Sequence, residues 1–189
     1  MRRATRLSKE TILLTHEERF EEAEKHLLEV NKFFTQLREI EKDHPDLVYT
    51  GIVDAALQEY AEAQIFLRLV KDGTFVKPEE VSVPSVPYVL GLADVIGEFR
   101  RKALDSLRRG DIKAAENCLQ TMEQIHTDLI AMDDVYLLVP GLRRKDDIAR
   151  RIIETTRGDV TVEGRKASLE LSIKTLEKTL MSEKRAEET

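Results

Sequence analysis

The chain has 189 residues, a net charge of −6 and no tryptophan; charged residues make up 35% of it and aromatic residues only 5%. This composition favours long helices over sheets. The net negative charge excludes a nucleic-acid-binding protein whose charge is basic over the whole molecule. Cys118 is the only cysteine, so no intrachain disulfide can form. Neither a signal-peptide pattern nor a run of about 18 apolar residues occurs, so we expect a soluble protein of the cytoplasm.

In the first half of the chain, apolar positions at steps of three and four predict helices. One long helix is predicted over residues 8–42, ended by Pro45. A second helix is predicted to begin at residue 47 or 52 and to end near residue 71. The segment 75–87 contains three prolines and is expected to be a connector with at most a short helical turn at Glu79.

In the second half, we expect a helix over residues 87–109 with Gly110 as its terminating residue. Asp111 is expected to cap the next helix, which runs to about residue 132. The stretch 133–141 is either a helix tail or a short buried segment. Two further helices are predicted over 142–159 and from about 161 onward, with a frayed charged tail from about residue 182. No strand is convincing, which predicts one all-α domain over 1–189, an antiparallel bundle of about six to seven helices.

The second predicted helix carries an acidic pair in an unusual setting. Residues 54–70 place apolar side chains around nearly the whole helix, as in helices buried within a bundle. Yet Glu59 and Glu62 lie three residues apart on one face of it. Buried carboxylates must be paired, protonated or coordinating a cation. A structural ion pair, for example with Arg68, is the alternative to a functional site.

A second acidic pair, Asp94 and Glu98, lies one helical turn apart on the polar half of the 87–109 helix. The alternative here is a solvated face, supported by i,i+3 ion pairs such as Glu98 with Arg101 and Asp105 with Arg108.

If the two helices pack antiparallel, their four carboxylates converge. An all-oxygen set suits Mg²⁺ or Mn²⁺ rather than zinc, and a metal-bound water beside a phosphate would allow phosphodiester hydrolysis. The histidines have no nearby Cys or His partner along the sequence and are interpreted as surface residues: His16, His26, His44 and His126.

Two segments carry a resemblance to a known family. LQEYAEA at 57–63 and GLADVIGEFRR at 91–101 resemble the acidic motifs of translin-associated factor X, in the translin superfamily. The order of elements also matches over nearly the whole chain. By position, Glu59 and Glu62 match the glutamates of the first motif, Asp94 the aspartate of the second and Glu98 the glutamate that follows it.

The resemblance implies an all-α bundle that assembles into a hollow, usually octameric shell. It implies that the four acidic residues bind Mg²⁺, with Mn²⁺ as a substitute, for cleavage of single-stranded RNA inside that shell. The alternatives are a non-catalytic translin-like module that binds single-stranded RNA or DNA, and a bundle that only oligomerises. The chain resembles a self-assembling version of the catalytic subunit, although a translin-like partner chain is the other arrangement.

Basic clusters are the predicted phosphate contacts, which would give affinity without sequence specificity. The alternative for such clusters is pairing within their own helix, as between Asp146 and Arg150. The candidate RNA-binding residues are Arg100, Arg101, Arg143, Arg144 and Lys145.

Overall fold

The computed structural model describes residues 1–44, 51–132 and 134–187, with side chains through residue 182. These residues form six long helices and two of a single turn, and no strand occurs among them. The predicted all-α bundle is therefore confirmed. The helices are α1 Arg2–His16, α2 Phe20–Asp43, α3 Gly51–Asp72, α4 Pro78–Val81, α5 Ser85–Arg108, α6 Ile112–Ile130, α7 Val135–Leu138 and α8 Leu142–Glu187.

The bundle is built around α3 and α5, which pack side by side. Both lie against other long helices, α3 against α1 and α2, and α5 against α6 and α8. Two contacts show that α3 and α5 run antiparallel. Gln58 of α3 contacts Asp94 of α5, whereas Glu62, further along α3, lies against Gly91, which comes earlier in α5. Fully buried side chains fill the space between the helices, including Phe66 of α3 and Ile96 of α5. The apolar character of α3 thus reflects its central position.

The predicted features around α5 are confirmed, although the helix begins at Ser85, two residues before the predicted start. The connector before it contains one short helix, α4, at the place expected for a helical turn. Gly110 follows α5 with φ of 77°, a conformation that glycine adopts without steric cost. The Asp111 side chain accepts a hydrogen bond of 2.9 Å from the Ala114 N–H, which caps α6.

The first helix is not continuous, contrary to the prediction over residues 8–42. Helix α1 begins at Arg2 and ends at His16, and α2 begins at Phe20 after a tight turn. Glu18 has φ of 60° in that turn, and Arg19 donates hydrogen bonds to the carboxylates of Glu17 and Glu22 on either side. The turn folds α2 back along α1. The predicted end at Pro45 and the alternative start at Leu47 lie outside the described residues.

The prediction of two separate C-terminal helices is also wrong, because α8 is one helix from Leu142 to Glu187. It runs past residue 182, where we expected a tail to begin. Its second half makes an apolar stripe that is exposed in this protomer, formed by Leu169, Ile173, Leu176 and Leu180.

The stretch 133–141 contains the short helix α7. Leu137 and Leu138 of α7 are exposed rather than buried, whereas Val139 and Leu142 return to the core. Asp133 lies outside the described residues. Among the helices that are described, none is long and apolar enough to cross a membrane.

Candidate active site

The central acidic residue of the site is Glu62, which is only 8% exposed. It lies on α3 between fully buried neighbours, Ala61 and Ala63, with Phe66 one turn further along. Within the described residues, no side chain donates a hydrogen bond to its carboxylate. Glu59 is less enclosed and lies 3.3 Å from the Lys9 ammonium of α1. The proposed ion pair with Arg68 does not form, because Arg68 instead contacts Asp72 at 3.0 Å.

A glycine allows the second acidic helix to approach this position. A Cβ added to Gly91 of α5 would lie 2.8 Å from both the Gln58 carbonyl oxygen and the Glu62 nitrogen. Only a residue without a side chain permits this backbone contact. Gly91 therefore holds the helix that carries Asp94 and Glu98 against the turn that carries Glu62.

Asp94 is held on both carboxylate oxygens. The Gln58 side-chain amide of α3 donates a hydrogen bond of 2.6 Å to Oδ2, and the Lys145 ammonium of α8 contacts Oδ1. Asp94 and Lys145 are both partly exposed. The interpretation of Asp94 as part of a simple solvated face is therefore wrong, because two other helices supply its partners.

Glu98 contacts a histidine that the sequence did not mark as functional. His16 Nε2 lies 2.7 Å from Glu98 Oε2, and the His16 side chain is only 7% exposed. Its ring packs against Phe66 with centroids 4.8 Å apart. Our interpretation of His16 as a surface residue is wrong, because the turn after α1 places it inside the bundle. The alternative pair of Glu98 with Arg101 is absent from the described contacts, whereas Asp105 and Arg108 do pair at 3.4 Å.

This arrangement raises the pKa of the Glu62 carboxyl. Burial is the largest cause, and the negative charges of Asp94, Glu59 and Glu98 follow in that order; together they raise the pKa of the Glu62 carboxyl from 4.5 to about 9. The positive charge of Lys145 opposes them. Glu62 is consequently a neutral acid at pH 7, kept so by desolvation and by three neighbouring carboxylates.

A cavity of about 320 Å³ opens over three of the four acidic residues. Glu59, Glu62 and Glu98 line it together with Lys9 and Arg101, and apolar side chains of α1 complete its wall. The cavity is large enough for hydrated ions or part of a nucleotide. Asp94 borders a separate, smaller cleft of about 140 Å³ between α5 and α8.

The four carboxylates are neighbours, but they do not yet enclose a cation. No group of three or more His, Cys, Asp or Glu side chains in the parts of the chain that the structure describes is placed to hold a metal ion as it stands. The contacts above give the reason. Glu59, Asp94 and Glu98 each point to a different basic side chain, namely Lys9, Lys145 and His16.

The candidate RNA-binding residues occupy different settings. Arg100 is engaged within the protomer, where it donates a 2.7 Å hydrogen bond to Thr156 and lies 3.7 Å from Asp159. Arg101 is exposed on the cavity rim. Arg143 and Arg144 are exposed in the first turn of α8, next to Lys145.

The intrahelical pair predicted for this first turn of α8 is not found. Asp146 lies 3.1 Å from His126 of α6 rather than beside Arg150. His126, interpreted from the sequence as a surface residue, is thus also largely enclosed. The exposed arginines of this turn keep their guanidinium groups available to solvent.

Comparison with known proteins places this geometry in a family context. A family model described as the Translin family matches residues 1–160. An uncharacterised protein of Methanocaldococcus jannaschii is 34% identical over 113 residues, which are 59% of this chain and 50% of that protein. The match therefore spans about half the length of this curated relative.

Three solved structures share the fold over most of their length. A complex of AfC3PO with duplex RNA has a TM-score of 0.77 and 32% identity, covering 87% of this chain and 85% of that one. A crystal structure of AfC3PO has a TM-score of 0.77 and 33% identity, with 87% and 86% covered. Apo-NeC3PO has a TM-score of 0.76 and 28% identity, with 85% and 84% covered.

Proposed function

Because this chain belongs to the translin family, we propose that it binds RNA as a homo-oligomer and cleaves single strands as a Mg²⁺-dependent endoribonuclease. The proposal places it with the translin-associated factor X branch of the superfamily. The observation that carries it is the buried Glu62 carboxyl, which lacks a hydrogen-bonding partner among the described residues and faces three other carboxylates.

RNA binding is supported by the likeness to the AfC3PO complex and by the distribution of charge. That relative was solved with duplex RNA. In this chain, Arg101 lies on the rim of the acidic cavity, and Arg143 and Arg144 are exposed in the first turn of α8. Positive side chains around an acidic pocket would hold a phosphate backbone while the carboxylates face the reacting group.

Self-association is supported by the exposed stripe on α8. Its four apolar residues are spaced by four, three and four positions, which is the seven-residue repeat of a coiled-coil seam. The stripe spans Leu169 to Leu180, and all four side chains are exposed in the protomer. A seam of this kind is stable when it packs against another helix. We propose that copies of this chain cover it, in an octameric shell like those of the family.

The donor set fits Mg²⁺ in its chemistry, since carboxylate oxygens are the ligands that hard cations prefer. Glu59, Glu62, Asp94 and Glu98 would hold it, with Mn²⁺ as a substitute. A bound cation would activate water and neutralise the charge that develops on the phosphate. The carboxylates must turn away from their basic partners to do so. Glu62 must also release its proton, and Arg101 would orient the phosphate from the cavity rim.

The non-catalytic alternative explains the acidic cluster less well. A module that only binds RNA gains nothing from crowded carboxylates, since they repel both one another and the phosphate backbone. A structural ion pair would require Glu62 to have a basic partner within hydrogen-bonding distance, and none is found among the described side chains.

The proposal is tested with purified wild-type protein and a labelled single-stranded RNA, with the matching duplex and single-stranded DNA as comparison substrates. Cleavage is followed in Mg²⁺, in Mn²⁺ and in EDTA. We expect internal cleavage of the single-stranded RNA in either metal and none in EDTA. Binding of the RNA without cleavage in both metals would support the non-catalytic alternative and refute the nuclease.

A further inference from the structure

We infer that the Lys145 ammonium neutralises Asp94 in the metal-free protein and is displaced when the divalent cation binds there. The displaced ammonium then contacts an RNA phosphate. This inference rests on the proposed function and assigns Lys145 a positioning role in it. Lys145 would be a displaceable counter-charge, whereas the exposed arginines beside it would contact phosphate in either state.

The first observation is the contact itself. Lys145 lies in the first turn of α8, and its ammonium contacts Asp94 Oδ1, while Gln58 occupies Oδ2. Both oxygens of this carboxylate thus have a partner within the protein, and the one on Oδ1 is itself a positive charge. The positive charge of Lys145 also opposes the negative charges around Glu62. Lys145 therefore interacts directly with Asp94 and electrostatically with Glu62.

The second observation is that the contact is partly exposed to solvent. The Lys145 and Asp94 side chains are 27% and 28% exposed, so the ammonium has a path to solvent. A lysine side chain has a flexible four-carbon stem, and its compact charge can pair with a carboxylate or with a phosphate. A divalent ion on Asp94 would repel an ammonium on the same carboxylate. Arg143 and Arg144 are exposed in the same turn of α8, so a phosphate bound by them would be available to that ammonium.

The test compares Lys145→Met with wild type, using Lys113→Met as the matched control. Lys113 is exposed on α6, away from the acidic cavity. Mn²⁺ is titrated calorimetrically without RNA, at one protein concentration. Because a competing charge is lost, we expect Lys145→Met to bind Mn²⁺ about tenfold more tightly than wild type. Lys113→Met should match wild type, and Lys145→Arg, which keeps the charge, should restore the weaker binding.

A second measurement tests whether the Lys145 ammonium contacts an RNA phosphate when a divalent cation is bound. The salt dependence of binding to single-stranded RNA is measured in EDTA and in Ca²⁺, with gels confirming that the RNA stays intact. In Ca²⁺, the slope of log K against log salt should be shallower in Lys145→Met by about 0.7, the value for one phosphate contact on a single strand. In EDTA the two slopes should agree, because Lys145 is then engaged with Asp94.

The outcomes separate this inference from the proposed function. If wild type binds no Mn²⁺, both fail. If wild type binds Mn²⁺ and Lys145→Met binds it equally or more weakly, the displacement of Lys145 is refuted while the metal site stands. Thermal melts check that the variants fold, and Lys145→Gln, whose amide still donates to Asp94, replaces the methionine variant if that one unfolds.

Discussion

Gly91 and Glu62 lie in backbone contact across the α3–α5 interface, so close that a Cβ on Gly91 would be 2.8 Å from the Glu62 nitrogen. This contact joins the two acidic segments of the chain. Without it, Asp94 and Glu98 would lie further from the buried carboxyl of Glu62. The acidic cluster therefore depends on a residue that carries no functional group.

Replacing Gly91 with alanine should destabilise the protein by about 1–3 kcal/mol, because the methyl group pushes α5 away from backbone atoms that cannot give way. The matched control is Gly97→Ala on the same helix, where an added Cβ meets nothing within 4 Å. Since alanine favours helix over glycine, the control should gain about 0.5–1 kcal/mol. Urea unfolding of both variants measures the difference, and equal stabilities would show that the close contact is not limiting.

Glu62 should make the metal-free protein less stable as pH rises. Its pKa is raised in the folded state from 4.5 to about 9, so the folded protein retains a proton that the unfolded chain loses. The stabilisation is complete below about pH 4.5 and is lost as pH rises towards 9. Glu62→Gln should therefore match wild type at pH 5 and exceed it at pH 8, by at most about 5 kcal/mol.

This prediction is checked by chemical unfolding in EDTA at several pH values and one protein concentration. Glu154→Gln, an exposed position on α8, controls for the general effect of removing a negative charge. Mg²⁺ should narrow the difference in stability at pH 8 by stabilising wild type more than Glu62→Gln. A stability difference that does not change with pH would contradict a neutral Glu62.

His16→Ala should destabilise the protein by about 1–3 kcal/mol, because Glu98 loses its partner and Phe66 loses a packed ring. His16→Gln retains a side-chain N–H and should recover part of the loss. Thermal melts at fixed protein concentration provide the measurement. His44→Ala, at an exposed helix end, should stay within about 0.5 kcal/mol of wild type. An equally small effect at His16 would show that its contact with Glu98 is incidental.

A charge in the apolar stripe of α8 should dissociate the assembly while the protomer stays folded. Ile173→Asp introduces a carboxylate into a seam that we propose copies of the chain cover, and burying it there would be costly. Light scattering should show a lower mass, with the helical circular dichroism signal retained. Lys178→Asp, on the opposite side of the same helix, should keep the wild-type mass. Unchanged mass in Ile173→Asp would place the interface elsewhere.

Sequence patterns predicted the features that depend on neighbouring residues, namely helix burial, caps and helix ends. The apolar circumference of α3 predicted its burial, and with it the unusual setting of Glu62. The cap at Asp111 and the end at Gly110 follow from the preferences of single residues. Helical spacing identified Asp94 and Glu98 as an acidic pair, and the resemblance to the family motifs favoured a functional site over a solvated face.

The remaining features depend on contacts between distant parts of the chain, or on unfavourable residues that a helix tolerates. No glycine or proline marks the turn at Glu18, and the apolar spacing continues across it, so one continuous helix was predicted. Without that turn, the enclosure of His16 could not be predicted. Two helices were predicted on either side of residue 160, but α8 continues through Gly158 and Gly164, each of which costs a helix only about 1 kcal/mol. The contact of Lys145 with Asp94 joins residues 51 positions apart, which one sequence cannot reveal.

The most direct test of the account is single-turnover cleavage of single-stranded RNA in Mg²⁺ by wild type, Glu62→Gln and the exposed control Glu154→Gln. RNA affinity in EDTA is measured alongside. We predict that Glu62→Gln binds RNA as wild type does but cleaves it at least about 100-fold more slowly, whereas Glu154→Gln retains the wild-type rate. Cleavage by Glu62→Gln at the wild-type rate would contradict the assignment of the acidic cluster as the active site.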